Sequence, residues 1–111
     1  MKKRVIATLA PAALALAVSA APAWAADAAA GKTVYTSKCQ TCHAADGTGN
    51  PGLGKALGVT WVPLGGADAQ KMSDDDLKKV VTAGKGKMKP IASVTGADLD
   101  NVVAYVRTLK K

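Results

Sequence analysis

The clearest apolar pattern in the chain lies at its C-terminal end. Leu99, Val102, Val103, Val106 and Leu109 recur at i, i+3, i+4 and i+7 spacing and predict a helix running to the terminus. Thr95-Gly96-Ala97-Asp98 gives it a capping start, and Arg107, Lys110 and Lys111 suit the negative end of its dipole. A second helix is predicted from Ser73-Asp74-Asp75-Asp76, where Ser73 caps and three carboxylates face the positive dipole end. Leu77, Val80 and Val81 continue it at helical spacing, and Gly84 stops it. Residues 28–39 read as a shorter first helix with Ala28, Val34 and Tyr35 as its apolar positions. Residues 47–66 hold seven of the eleven glycines together with Pro51 and Pro63, so they read as irregular, with a short helical turn around Lys55–Leu57. Lys85–Val94 reads as a loop. No stretch alternates convincingly enough for a strand, and there is no internal repeat. The predicted class is all-α, with three or more helices and one long loop.

The extreme N-terminus follows different rules. Lys2, Lys3 and Arg4 precede an apolar stretch from Val5 to Val18, and Ala23-Trp24-Ala25 places small residues where a signal peptidase reads. Residues 1–25 are therefore expected to be a secretory signal, cleaved between Ala25 and Ala26, leaving a single domain at 26–111. The apolar run is shorter than the roughly 18 residues of a spanning helix, so no integral membrane segment is expected after cleavage. Losing Lys2, Lys3 and Arg4 takes the formal net charge from +7 to +4.

Composition narrows the class further. Apolar residues make up 49% of the 111 and charged residues 21%, too apolar for a disordered tail and too short for a Rossmann or barrel enzyme. Aromatics are only 4%, with no Phe. A domain this small needs a disulfide, a metal or a cofactor to supplement its core.

Cys39-Gln40-Thr41-Cys42-His43 supplies the chemistry. It contains both cysteines and the one histidine of the chain. Two thiols three residues apart can each add to a haem vinyl group, and the adjacent His can reach the iron. A thiol–disulfide site is the main rival, but such sites follow a strand in an α/β fold, and none precedes Cys39. Zinc is a third option, for which only three good protein ligands exist. For a sixth iron ligand the mature chain offers Met72 and Met88. Met72 stands just before the Ser73 cap. Met88 sits in Gly84-Lys85-Gly86-Lys87-Met88-Lys89-Pro90, an apolar residue among lysines whose side chain has reason to turn inward, and is the better candidate. An open coordination site, as in a haem sensor or enzyme, is the alternative.

At this point the mature chain resembles a class I cytochrome c, of the small single-haem kind found in bacterial periplasms and photosynthetic lumens. Gly31-Lys32-Thr33-Val34-Tyr35 matches the first-helix motif of that family, Tyr105 its aromatic on the last helix, Pro51 and Leu53 its P-x-L segment, and Met88 its distal Met. The resemblance implies N- and C-terminal helices that cross at Gly31, with Tyr35 and Tyr105 at the crossing and a covalent haem in the core. It implies that the Pro51 carbonyl accepts the proton of the non-ligating His43 nitrogen. Lys89 separates Met88 from Pro90, where the family usually has Pro next, and Gly58–Gly66 fits no family pattern. Trp61 in that segment could donate to a haem propionate or simply be a packed ring. The haem would supply the missing large apolar body, with Leu53, Leu57, Leu64, Val80, Val81, Ile91, Val102 and Val106 around it.

The expected role is an exported, periplasmic, monomeric electron carrier and not an enzyme: one covalent haem c, its iron held by His43 and Met88 and its macrocycle by Cys39 and Cys42. Lys38, Lys55, Lys85, Lys87 and Lys89 flank these motifs and could form a positive rim for acidic surfaces on a donor and an acceptor. Gly49–Ala56 falls one residue short of a phosphate loop, since Ala56 offers no hydroxyl to Mg²⁺. Asp74–Asp76 are explained by the helix dipole. The basic balance lacks the interleaved aromatics of a nucleic-acid binder.

Overall fold

A computed structural model describes residues 25–111. The predicted signal segment, apart from Ala25, lies outside the described residues. Six helices follow in order: α1 (Ala28–Lys38), α2 (Gln40–His43), α3 (Pro51–Leu57), α4 (Ala67–Gln70), α5 (Asp74–Ala83) and α6 (Gly96–Thr108). Among the described residues the one β feature is an isolated antiparallel bridge between Lys85 and Met88. The all-α class expected from the pattern is the observed one.

The α1–α6 crossing is the main helix–helix interface. A Cβ built on Gly31 would lie 1.9 Å from the Asn101 carbonyl oxygen, so the two backbones touch where only a hydrogen fits. Tyr35 and Tyr105 flank this point with ring centroids 5.1 Å apart and planes tilted by 54°, an arrangement worth about 0.5–1.5 kcal/mol beyond area burial. Asp27 ties off the start of α1. Its carboxylate accepts from the amides of Ala29 and Ala30, while its own N–H donates 2.8 Å to the Asn101 side chain. Tyr35, Val94, Val102 and Val103 form the buried cluster around the crossing.

Arg107 was expected to complement the helix dipole, and it does more. Its guanidinium donates to the carbonyls of Gln70 (3.0 Å) and Met72 (2.6 Å) and to the Asp74 carboxylate (2.8 Å). It thereby fastens α6 to the α4–α5 junction. Ser73 caps α5 as predicted, accepting from the Asp76 amide at 3.0 Å, and Gly84 ends it at φ 78°.

Four local expectations need correction. The first helix stops at Lys38, with Cys39 as its cap. The turn placed at Lys55–Leu57 is a helix from Pro51, because the Asn50 side chain caps it and Pro51 occupies the first turn without a wasted donor. Helix α4 was not foreseen. The Gln70 side-chain amide braces it, donating to the carbonyl of Leu64 (2.8 Å), six residues earlier, and to that of the distant Val106 (3.0 Å). Thr95 makes no side-chain cap bond, and Gly96 opens α6 at φ 55° rather than in helical geometry.

Because the neighbour at Gly31 is rigid backbone, Gly31→Ala should destabilise the folded protein by ~1–3 kcal/mol. In a domain of this size that lowers the melting temperature by at least ~4 °C. Thermal unfolding followed by circular dichroism checks it, and an unchanged melting temperature would contradict the crossing.

Candidate functional site

The Cys39–His43 motif begins at the C-terminal end of α1 and forms the single turn α2. Two groups hold this turn in place. The buried Tyr35 hydroxyl donates to the carbonyl of Ala44, which follows His43 at φ 62°. From the other side, the amides of Gly49 and Asn50 each donate at 2.8 Å to the carbonyls of His43 and Cys42. The Asn50 side-chain amide donates to the Thr41 carbonyl at 3.3 Å. Asn50 therefore serves both the motif and the start of α3.

Next to this turn is a cavity of about 400 Å³, within the size range of cofactor pockets. Cys39, Cys42 and His43 line one part of it. Met88 lines another, brought there by a tight loop in which Lys85 and Met88 exchange two backbone hydrogen bonds of 2.9 Å. Gly84 makes that loop possible: a Cβ there would meet the Met88 carbonyl oxygen at 2.6 Å. Met88 is half-buried while Lys85, Lys87 and Lys89 around it are exposed, as an inward-turned side chain requires. Met72 is not among the lining residues; its carbonyl takes the Arg107 guanidinium. Leu53, Leu57, Leu64, Val80, Val81, Ile91, Val102 and Val106 all line the cavity.

The electrostatics suit a neutral, apolar site. Burial pushes the His43 imidazole below its ordinary value, which favours the neutral ring that a metal needs. Burial, with Cys42 nearby, pushes the Cys39 thiol up to about 11. A redox dithiol relies on a lowered thiol pKa, so this argues against a thiol oxidoreductase. Among the described residues no three His, Cys, Asp or Glu side chains converge as a metal site. Two free cysteines, an imidazole and a thioether on apolar walls fit a covalently attached haem.

One finer expectation is corrected, and the two readings of Trp61 are narrowed to the packed ring. His43 Nδ1 is buried without a hydrogen-bond partner, so the bond to the Pro51 carbonyl is not formed. Pro51 instead opens α3, where carbonyls are directed along the helix. The Trp61 indole N–H is already committed, donating to the Asn50 carbonyl at 2.7 Å, and is not free for a propionate. The role of Asn50 was missed. Its one signal was the Asn-Pro pair preceding Leu53, a helix-start pattern obscured by the surrounding glycines.

A model of the family described as cytochrome C oxidase, cbb3-type, subunit III, matches residues 26–106. The chain is 36% identical over 90 residues to cytochrome c6 of Picosynechococcus sp., covering 77% of this chain and 75% of that protein. It is 36% identical over 92 residues to cytochrome c-554(547) of Halothiobacillus neapolitanus, covering 76% of this chain and 98% of that one. The solved structure of the KustC0563 c-type cytochrome matches with a TM-score of 0.61 and 30% identity, over 73% of this chain and 98% of that chain.

Burial raises the Tyr35 hydroxyl from 10.0 to about 12, with Cys39, Tyr105 and Asp46 adding to it. The folded state thus holds the phenol proton more tightly than the unfolded chain. The resulting stability is complete below pH 10 and is lost as pH rises from 10 to 12. Urea unfolding across that window should show this decline. Tyr35→Phe should flatten it, while lowering stability at neutral pH by about 0.5–1.5 kcal/mol for the lost hydrogen bond to Ala44. An equal decline in both proteins would refute the assignment.

Proposed function

The chain belongs to the cytochrome c family, and on that premise we propose that it is an exported one-electron carrier. Its covalent haem c supplies a ferric–ferrous couple when bound. In this reading Cys39 and Cys42 would hold the macrocycle through thioether bonds, and His43 and Met88 would ligate the iron. The observation that carries it is the placing of Cys39, Cys42, His43 and Met88, from two separate segments, on the walls of one apolar cavity.

Each residue has a distinct part. Neutral His43 offers a nitrogen lone pair. The Met88 thioether is a soft donor that favours ferrous iron and raises the potential. With His43 and Met88 both bound to the iron, no small molecule would have a coordination site, which suits a carrier rather than an enzyme. The position of Met88 on the cavity wall supports this reading over that of an open-site sensor or enzyme. The apolar walls keep water away and hold the difference in charge between the two iron states in a low-dielectric surrounding. No helix among the described residues is long and apolar enough to cross a membrane. The signal at residues 1–25 would deliver residues 26–111 to the periplasm as a monomer.

Lys38, Lys87 and Lys89 border the same cavity, and Lys55 and Lys85 are exposed nearby in sequence. In this reading Lys38, Lys87 and Lys89 give the cavity a positive rim, extended by Lys55 and Lys85, that suits acidic surfaces on a redox donor and acceptor.

Met88→Ala and Met88→His should both lower the reduction potential by more than about 59 mV, a tenfold change in a one-electron equilibrium. Both should abolish the weak red absorption band of a methionine–iron bond. Met72→Ala should leave potential and band in place. Loss of the band in Met72→Ala with its retention in Met88→Ala would reverse the ligand assignment.

Electron-transfer rates with an acidic partner protein should fall as salt rises, the Debye length shrinking to about 3 Å at 1 M. Lys87→Glu should slow association more than Lys111→Glu in stopped-flow measurements. Equal effects, or rates indifferent to salt, would contradict the rim.

A further inference from the structure

Gly58–Gly66 matched no recognised pattern, yet it carries Trp61 to the cavity wall directly beside His43. The indole and imidazole meet edge to face with centroids 5.6 Å apart. The indole N–H donates 2.7 Å to the Asn50 carbonyl. Asn50 in turn donates its amide to the Cys42 carbonyl at 2.8 Å, and its neighbour Gly49 donates to the His43 carbonyl at 2.8 Å. One side chain therefore touches the imidazole ring and also braces the backbone that carries it.

The seat of Trp61 is specific. A Cβ on Gly49 would meet the indole at 2.1 Å, and a Cβ on Gly54 would meet Nε1 at 2.5 Å. Two bare glycines, on either side of Asn50, let the ring lie flush against the loop that follows the motif. Any buried indole needs a partner for its N–H; what is particular here is that the partner is the residue hydrogen-bonded to the motif and that two glycines shape the seat. The face they create is the one against His43.

We propose that Trp61 is a positioning residue for His43, holding the imidazole in its orientation and keeping water from it through the Asn50 hydrogen bond and the Gly49–Gly54 seat. The proposal rests on the reading that His43 binds the haem iron. A ligand ring held in a dry setting donates less to ferric iron than one that water can hydrogen-bond. Loosening Trp61 therefore favours the ferric state.

The test uses the haem-loaded protein and three variants: Trp61→Phe, which keeps a ring but removes the N–H; Gly54→Ala, which crowds Nε1; and the double variant. Each single change should shift the ferric–ferrous equilibrium about threefold toward ferric, roughly 28 mV at 59 mV per tenfold. The iron-shifted proton resonances of the His43 ring should move, while the red methionine–iron band stays. The double variant should shift no further than Trp61→Phe alone, because the atom that the added methyl group would strike is gone. Lower thermal stability with unchanged potential and unchanged His43 resonances would overturn the positioning role. So would fully additive shifts. Wild-type His43 protons without any iron shift would refute the ligation reading itself, and the proposal with it.

Discussion

The short supply of large apolar side chains is the constraint on which the rest of this structure depends. With Trp61, Tyr35 and Tyr105 as the aromatic residues of 26–111, six short helices have little bulk to bury between them. The chain answers with two different contacts. At the α1–α6 crossing, bare backbone at Gly31 and a tilted tyrosine pair bring two helices close. Elsewhere Leu, Val and Ile side chains line one shared apolar cavity, several of them packing on the buried cluster as well. The covalent haem of the cytochrome c family belongs to that second contact, so fold and cofactor are a single problem in packing.

The crossing and the cavity are linked by the residues around the thiol motif. Tyr35 belongs to the crossing and also holds Ala44, just beyond His43. Val102 and Val103 are buried in the crossing cluster and also line the cavity. Arg107 then secures the far end of α6 to the start of α5, whose Val80 and Val81 form more of the cavity wall. A disturbance at Gly31 is thus felt at the motif through contacts that can be named.

Much of this was legible in the chain because it is local. Ser73 and Gly84 mark the ends of α5 through cap chemistry, and the stripe from Leu99 to Leu109 marks α6 through periodicity. The cavity residues were legible for another reason: once a large flat body was expected near Cys39–His43, the remaining branched apolar residues had one place to go. What was not legible depends on partners distant in sequence. Helix α4 is braced by the Gln70 side chain on the carbonyl of Val106, 36 residues away. Thr95 is an exception of a local kind: the neighbouring Gly96 takes a positive φ and no side-chain cap bond forms. Trp61 was a candidate donor to a propionate, and nothing short of three dimensions pairs its N–H with Asn50. Pro51 was assigned an acceptor role toward His43, which the geometry of α3 does not supply.

The central claim is that the cavity is organised around a haem bonded to Cys39 and Cys42. Mass spectrometry of the protein purified from cells able to attach haem tests this most directly, with the cysteine-containing peptide sequenced after denaturation. The account predicts one haem mass retained under denaturing conditions and located on the peptide holding Cys39 and Cys42. A haem-free chain two hydrogens lighter than its free-thiol mass, the signature of a disulfide, would contradict it.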